Sequence, residues 1–356
     1  MITVANALAE QGHAVDLVLL RGAGPYLREV DPRVRVVDLA ARHAALGALP
    51  FYRYLRAERP QVVLSTLVGP NAIAVAGSLL VPRASRARVV VREANTLSVA
   101  LKYRSWGSRL LAGAFARLSY PLADAVIAVS EEARDDLARF LGIAPSRVTA
   151  IHNPSVTASM LERSLEPVDH AWFADDRSEP VLVAAGRLVQ KKGFDVLLDA
   201  LVVVRRERAV RLQILGEGEE RRALQQQIAR LGLERSVELA GFVDNPFARF
   251  ARADLFVLPS LAEGMPNVLV EAMACGCAVV ATRCPSGPRE ILRDGRDGAL
   301  VAPGDAAALA TAILETLAHP PDPAKLRARA ADFEVGVVVA AYAEVLGLAT
   351  PVPMQE

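Results

Sequence analysis

Cysteine is scarce in this sequence, with Cys275, Cys277 and Cys284 as the three among 356 residues. An odd number of cysteines in apolar surroundings excludes a disulfide framework and indicates a reducing, cytosolic compartment. The Cys275-Gly-Cys277 pair has no neighbouring His or further Cys, so we expect no metal site there.

Long apolar runs are absent too. Although 52% of the residues are hydrophobic, no run reaches the roughly 18 residues that a membrane-spanning helix needs.

Charge is unevenly distributed along the chain. Four of the 41 basic residues are lysine, an arginine excess typical of a GC-rich bacterial genome. Residues 1–165 carry 20 basic and 13 acidic side chains, whereas residues 166–356 carry 21 and 27. No acidic residue occurs between Ala94 and Ala123. The aromatic residues interleaved with the basic ones there are Tyr103, Trp106, Phe115 and Tyr120.

This basic, aromatic segment, residues 101–122, has two interpretations. It contacts an anionic membrane surface or a phosphorylated partner, or it is an ordinary domain helix with a solvated basic face. No groove-binding motif accompanies the basic residues, so we expect no nucleic-acid partner.

The order of the apolar segments predicts the fold class. Short runs such as "QVVLST", "DAVIAVS", "PVLVAAGRL" and "DLFVLPS" alternate with helical patterns. Such runs indicate parallel sheets covered on both faces, and therefore an α/β protein with doubly wound domains. The length favours two domains, and the interruption at residues 155–180 reads as the link between them. The predicted domains are residues 1–165 and 178–332, followed by a C-terminal helix and tail, residues 333–356, that packs back toward the first domain.

Three strand-to-helix turns in the second half contain glycine. "AAGRLVQKKGF" brings Arg187 and Lys192 to a helix start, which is what a phosphate group favours. "ILGEGEER" is not the dinucleotide fingerprint, because Arg221 stands where glycine is needed. "CPSGPREIL" is the third turn. Ligands of doubly wound sheets bind at the carboxyl ends of the strands, so we expect a phosphate-bearing ligand at this edge.

The stretch "EGMPNVLVEAMACG" places Glu263 and Glu271 on either side of a helix start. Pro266 and Asn267 are typical of a helix opening, and the apolar run after them predicts a buried helix. Glutamate is rarely buried without a partner. Either a ligand or a capping and salt-bridge role accounts for the two carboxylates.

Four segments of the second half together resemble the donor domain of retaining GT-B glycosyltransferases of family 4. They are "GRLVQKKGFDVLL", "LAGFVDNP", "SLAEGMPNVLVEAMACGCAVVATRCPSGPREIL" and "DGALVAPGD". In the first half, "LAEQGHAVDLVLL", "ADAVIAVSEEARDDL" and "VTAIHNP" resemble the acceptor domain of the family. The resemblance implies a GT-B fold, in which two Rossmann-like domains face a cleft, and a nucleotide diphosphate sugar as the donor.

The resemblance also implies roles for single residues. Glu271 would accept the two ribose hydroxyls, Glu263 would contact the transferred sugar, and Arg187 and Lys192 would bind the diphosphate. The backbone N–H groups of residues 267–269 would face the sugar and phosphates. The main chain at Val243 would meet the base. The complete implied donor site is Gly186, Arg187, Lys192, Val243, Glu263, Met265, Asn267, Val268, Leu269 and Glu271, with Glu263, Arg187 and Lys192 as its catalytic group.

No Asp-x-Asp occurs in the chain, so the usual paired-carboxylate site for a diphosphate-bound cation is missing. Arg187, Lys192 and helix N-termini would take the place of the metal ion. We therefore expect no metal and no cofactor, with the nucleotide sugar as a substrate.

On the acceptor side, "VVVREANTLS" places Arg92, Glu93 and Asn95 at the end of a strand. The family keeps a polar, often histidine-bearing loop there, and this loop has no histidine. Glu93 or Asn95 would orient the acceptor hydroxyl, or the segment is a plain strand-end turn.

The chain departs from the family pattern at its beginning. The family opens with a strand and a glycine-rich loop, whereas Met1 falls inside the helix that should follow them. Either the start codon is assigned too late, or the chain lacks a central strand of its first sheet, which would leave a gap in that sheet.

The function that follows is transfer of a hexose-type sugar, with retention, from a nucleotide diphosphate sugar, with a UDP-sugar favoured. The expected acceptor is a hydroxyl of a lipid-linked or polysaccharide molecule of the bacterial surface, reached from the inner face of the cytoplasmic membrane. Two alternatives remain: a non-catalytic sugar-nucleotide-binding remnant, and a GT-B-type nucleotide-sugar epimerase.

Overall fold

The computed structural model describes residues 1–42, 44–102 and 105–348. The chain forms two compact units, one of Met1–Pro154 with Val335–Glu356 and the other of Ser155–Glu334. Tyr103 of the basic segment and residues 349–356 of the predicted tail lie outside the described residues.

Helices and strands alternate through both units. Up to Pro154 they are α1 (Ile2–Glu10), β1 (Asp16–Leu19), β2 (Arg35–Asp38), α2 (Ala44–Glu58), β3 (Val62–Thr66), α3 (Val68–Leu79), β4 (Arg88–Glu93), α4 (Leu97–Lys102), α5 (Trp106–Ser119), β5 (Ala125–Ala128), α6 (Glu131–Leu141) and β6 (Val148–Ala150). From Ser155 they are α7 (Ala158–Ser164), β7 (Val181–Ala185), α8 (Phe194–Glu207), β8 (Arg211–Leu215), α9 (Arg221–Arg230), β9 (Val237–Gly241), α10 (Phe247–Phe250), β10 (Leu255–Leu258), α11 (Asn267–Ala274), β11 (Val279–Thr282), α12 (Pro288–Ile291), β12 (Ala299–Val301), α13 (Ala306–Ala318), α14 (Pro323–Ala330) and α15 (Val335–Leu346).

The second unit contains one six-stranded parallel sheet with the strand order β12-β11-β10-β7-β8-β9. The chain runs outward from β7 in one direction and returns to start again at β10, so the order reverses between these two strands. The three strands β7, β10 and β11 at and beside this reversal are entirely buried, as the apolar runs predict. The predicted α/β class with parallel sheets is confirmed. The reversal matters for function, because loops that leave neighbouring strands in opposite directions open a crevice at their carboxyl ends.

The first unit has two parallel sheets among its described residues, β1-β2 and β3-β4-β5-β6. Helix α1 packs against both. Val4, Ala7 and Leu8 share a core with Val90 and Ile127 of the larger sheet. On its other flank, α1 contributes Ala5 and Ala9 to a core with Val34. The helix therefore buries the inner faces of both sheets of this unit.

The boundary between the units differs from the predicted one. The sequence predicts a first domain that ends at residue 165, whereas Ser155 already belongs to the second unit. Helix α7 is the reason, because its Arg163 bonds to Asp244 at 2.7 Å and accepts through its carbonyl from the Asn245 side chain at 2.8 Å. The beginning of the segment interpreted as the link between the domains is therefore packed on the second unit.

Helix α15 follows the second unit in sequence but belongs to the first. Val338, Val339, Tyr342 and Leu346 lie in the core that contains Val90 and Ile127. The buried Arg92 at the end of β4 bonds to this helix, because its Nε–H donates to the Tyr342 hydroxyl at 2.7 Å.

We expect Tyr342→Phe to lower the free energy of unfolding by about 1–2 kcal/mol, because the buried Arg92 guanidinium loses one of its acceptors. Urea denaturation measures the change. Tyr52→Phe is the control, since no hydrogen-bond partner of the Tyr52 hydroxyl occurs in the described part of the chain, and it should cost less. Equal losses in the two variants would contradict the anchoring role of Tyr342.

Candidate active site

The loop after β7 carries the basic residues of the site and contacts the loop after β10. Gly193 starts α8 with φ +64°, and a Cβ placed on it would lie 2.2 Å from the Pro259 carbonyl oxygen. Beside it, the Leu261 N–H donates to the Lys191 carbonyl at 2.8 Å. Only glycine permits this approach, which holds the two loops together at the point where the strand order reverses.

Lys192 and Glu263 form the central ion pair of these loops. Lys192 Nζ lies 2.6 Å from Glu263 Oε1, and their side chains are 15% and 7% exposed. The hydroxyl of the fully buried Ser260 donates to the same carboxylate oxygen at 2.6 Å. The Ser260 carbonyl in turn accepts a hydrogen bond from the Thr282 hydroxyl at the end of β11. A charge-assisted network of this kind fixes the carboxylate in one orientation.

The loop after β11 supports the segment that leads into α11. Ser286, fully buried at φ +67°, donates its hydroxyl to the Gly264 carbonyl at 2.8 Å. A Cβ on Gly287 would lie 2.4 Å from Pro266 Cδ. The "CPSGPREIL" turn is predicted to favour a phosphate, whereas in the structure its Ser286 hydroxyl donates to the main chain of the protein.

The "ILGEGEER" turn also has a structural use. A Cβ on Gly216 would lie 2.0 Å from the Gly186 carbonyl oxygen, and one on Gly218 would lie 2.2 Å from the Leu188 carbonyl oxygen. These glycines let the end of β8 approach the loop after β7. The turn therefore positions the neighbouring loop that carries Arg187 and Lys192.

Glu271 has surroundings quite unlike those of Glu263. It lies in α11, where it is partly exposed, and the described part of the chain provides no hydrogen-bond or ion-pair partner for its carboxylate. The surrounding apolar protein raises the pKa of Glu271 to about 7 by desolvation. An accessible carboxylate held without a partner is suited to accept hydrogen bonds from a ligand.

The remaining predicted donor residues divide by exposure. Arg187 is exposed directly after β7, and Val243 is partly exposed after β9. Met265 and Leu269 are buried, so their side chains belong to the packing of the loop and helix. The N–H groups of Asn267 and Leu269 donate to the Met265 and Pro266 carbonyls, each at 3.0 Å. Two of the three amides predicted to face the sugar are thus paired within the chain in this structure.

The predicted acceptor residues lie in the first unit, and two of them are buried. Arg92 bonds to Thr66 and Tyr342, at 3.2 and 2.7 Å. Glu93 accepts from the Tyr120 hydroxyl at 2.8 Å, and burial raises the pKa of Glu93. Their bonds hold strand ends and helices together rather than present a polar surface. Asn95 is partly exposed, and its acceptor role stays a prediction.

Sequence reasoning missed Ser260 and Thr282, which orient the Glu263 carboxylate. A serine three residues before Glu263 in "SLAE" was the available signal, although small polar residues follow many strands.

Among the described residues, no group of three or more His, Cys, Asp or Glu side chains is arranged to hold a metal ion. The described helices are all too short or too polar to cross a membrane.

Comparisons with known protein families cover both halves of the chain. The profile described as "Glycosyl transferases group 1" matches residues 179–319, and "Glycosyltransferase Family 4" matches residues 1–157. The chain belongs to glycosyltransferase family 4. HepE from Anabaena, solved in complex with UDP-glucose, is 22% identical with a TM-score of 0.76 over 97% of this chain and 94% of that one. The GT-B fold expected of this glycosyltransferase is thereby confirmed.

Two curated bacterial relatives are also similar to this glycosyltransferase. One is the N-acetylgalactosamine-N,N'-diacetylbacillosaminyl-diphospho-undecaprenol 4-alpha-N-acetylgalactosaminyltransferase of Campylobacter jejuni, 31% identical over 65% of this chain and 60% of that protein. The other is the lipopolysaccharide core biosynthesis glycosyltransferase LpsE of Rhizobium meliloti, 39% identical over 42% of this chain and 43% of that protein. The matches thus span about half the length of these relatives.

Replacing Gly193 tests whether the contact between the two loops shapes the site. We expect Gly193→Ala to lower the free energy of unfolding by about 2–3 kcal/mol more than Gly232→Ala does, because a methyl group meets the Pro259 carbonyl. Gly232 is the matched control, with φ +67° and no atom within 4 Å of an added Cβ. Urea denaturation measures both losses, and similar values would show that the contact is not rigid.

Proposed function

We propose that this glycosyltransferase transfers a hexose-type sugar, with retention of configuration, from a UDP-sugar to a hydroxyl of a lipid-linked or polysaccharide acceptor. The observation that carries the proposal is the Lys192–Glu263 pair at the reversal of the strand order, where ligands of doubly wound sheets bind. Exposed Arg187 adds a second cation at the same end of β7.

The charges of the pair suit the two ends of the bond that breaks. In glycosyl transfer, positive charge develops on the sugar ring and negative charge develops on the leaving diphosphate. The Glu263 carboxylate would stabilise the first, and Lys192 and Arg187 would stabilise the second without a metal ion. Because Lys192 already holds Glu263, an arriving diphosphate would share the ammonium with that carboxylate.

The transfer balances without a redox partner. The bond from the anomeric carbon to the diphosphate oxygen breaks, and its electron pair leaves with the nucleoside diphosphate. The acceptor hydroxyl oxygen forms the new bond on the same face of the sugar. Its proton leaves with the departing phosphate oxygen.

Glu271 would bind the ribose of the donor. Its carboxylate has two acceptor oxygens, which match the two adjacent ribose hydroxyls, and the part of the chain described here leaves it unpaired. The backbone at Val243, directly after β9, is where we place contact with the base. The preference for uracil comes from the family resemblance and is supported by the fold shared with HepE, whose structure contains UDP-glucose.

The relatives support the proposed acceptor class. One acts on a diphospho-undecaprenol-linked sugar and another in lipopolysaccharide core biosynthesis. Undecaprenol and lipopolysaccharide are both lipid-containing molecules, which favours a lipid-linked acceptor for this chain. We therefore place the reaction in the cytoplasm, at the inner face of the cytoplasmic membrane.

A nucleotide-release assay with UDP-, GDP- and ADP-sugars, with and without bacterial lipid extract, tests the transfer. We expect release of UDP that increases with extract. Glu263→Gln and Lys192→Met should each reduce it about 10²–10³-fold, because each removes charge stabilisation from the transition state. Arg187→Ala should also reduce it.

Arg206→Ala is the control for loss of an arginine, since Arg206 is exposed on α8 outside the site. It should retain full release. Tight UDP binding without release under any condition would contradict transfer and identify a sugar-nucleotide-binding protein instead.

UDP affinity should depend on pH through Glu271. The pKa of this carboxyl is about 7 in the free protein, so it is largely protonated below pH 7. Ribose hydroxyls donate to the ionised form, so binding should release a proton, and UDP affinity should rise between about pH 6 and 8. Calorimetric titrations in two buffers of different ionisation enthalpy measure the proton. Glu271→Gln should bind more weakly and keep only the pH dependence that comes from the terminal phosphate of UDP itself, whereas a profile unchanged by the substitution would contradict the ribose contact.

A further inference from the structure

The solvent-facing side of α5 in the first unit is apolar. Five large apolar side chains of α5, and that of Leu122 shortly after the helix ends, are each between 49% and 79% exposed. We call them the α5 surface: Trp106, Leu110, Leu111, Phe115, Leu118 and Leu122. Four leucines and two large aromatic side chains within residues 106–122 exceed the scattered apolar residues of an ordinary protein surface.

The apolar character of α5 is not explained by its contact with the core. Its inner face is made of small residues, with Ala112, Gly113 and Ala116 buried, so the large side chains point outward. A surface helix normally carries charged or polar residues there. Helix α6 of the same unit does so, with Glu131 and Arg139 exposed.

Cations flank the α5 surface along the chain. Lys102 precedes the helix and is exposed, as are Arg109 and Arg117 on the helix itself. Arg117 lies over the Phe140 ring, 4.4 Å from its centre. Between Ala94 and Ala123 the sequence has no acid. A second copy of this surface would bring like charges together, which disfavours self-association. An anionic bilayer accepts both the apolar side chains and the cations.

We propose that α5 lies in the plane of an anionic phospholipid surface. Its leucines, Trp106 and Phe115 enter the acyl boundary, while Lys102 and Arg109 contact the headgroups. Tyr120 belongs to the segment that the sequence predicts to contact the membrane, but it is not part of the proposed contact. Its side chain is fully buried, and its hydroxyl donates to Glu93. This contact goes beyond the proposed transfer reaction and is measured without any sugar donor, so either proposal can fail while the other holds.

Co-sedimentation with vesicles tests the contact. We expect binding to phosphatidylcholine vesicles that contain phosphatidylglycerol, weaker binding to phosphatidylcholine alone, and release by salt. The double variant Leu110→Gln and Leu118→Gln should lose at least about tenfold in partitioning, because two exposed leucines no longer leave water. Leu80→Gln is the matched control, since Leu80 is 69% exposed in the same unit, and it should bind normally. An unchanged thermal unfolding midpoint shows that each variant folds.

Trp106 reports the insertion directly. Trp106 and Trp172 are the two tryptophans of the chain, so Trp172→Phe leaves Trp106 as the sole emitter. Its fluorescence should shift to the blue on anionic vesicles. An unshifted spectrum, equal binding to neutral vesicles, or full binding by the double variant would overturn the proposal. So would a dimer without vesicles that the double variant dissociates, because a second copy would then cover α5.

Discussion

The close approach of the loops that follow β7 and β10 is the constraint on which the candidate site depends. Gly193 brings its α-carbon against the Pro259 carbonyl, and no side chain fits between them. This contact places Lys192 on one loop within 2.6 Å of Glu263 on the other. Glycines at the end of β8 and in the loop after β11 make similarly close contacts with the segments that carry these two side chains. The polar site is therefore built on a frame of backbone contacts.

The two carboxylates of the site illustrate how the same residue type acquires different properties. The Glu263 carboxylate accepts hydrogen bonds from an ammonium and from a serine hydroxyl. Glu271 has neither partner among the described residues, and desolvation raises its pKa to about 7. The first carboxylate is ready to act electrostatically. The second carries a raised pKa and no partner among the described residues, which fits a binding role better than a structural one.

The first unit uses buried polar residues for cohesion. Arg92 joins β4 to Thr66 on β3 and to Tyr342 on α15. Glu93 and Tyr120 form a neighbouring pair, and Asn71 donates to the Tyr120 hydroxyl at 2.9 Å. In the sequence, polar residues at a strand end resemble a binding loop. Whether such residues face solvent or other protein groups depends on partners about 250 positions away, as Tyr342 is from Arg92.

The sequence by itself determined the α/β class, the parallel sheets and the family, and it predicts Lys192, Glu263 and Glu271 as site residues. These follow from local apolar runs and from motifs of fixed spacing, which the chain carries wherever it folds. Only the tertiary structure decided that Ser260 and Thr282 orient Glu263, that residues 155–165 pack with the second unit, and that the large side chains of α5 face outward. Each of these depends on which distant segment meets which face, and that is set by packing of the whole chain rather than by local pattern.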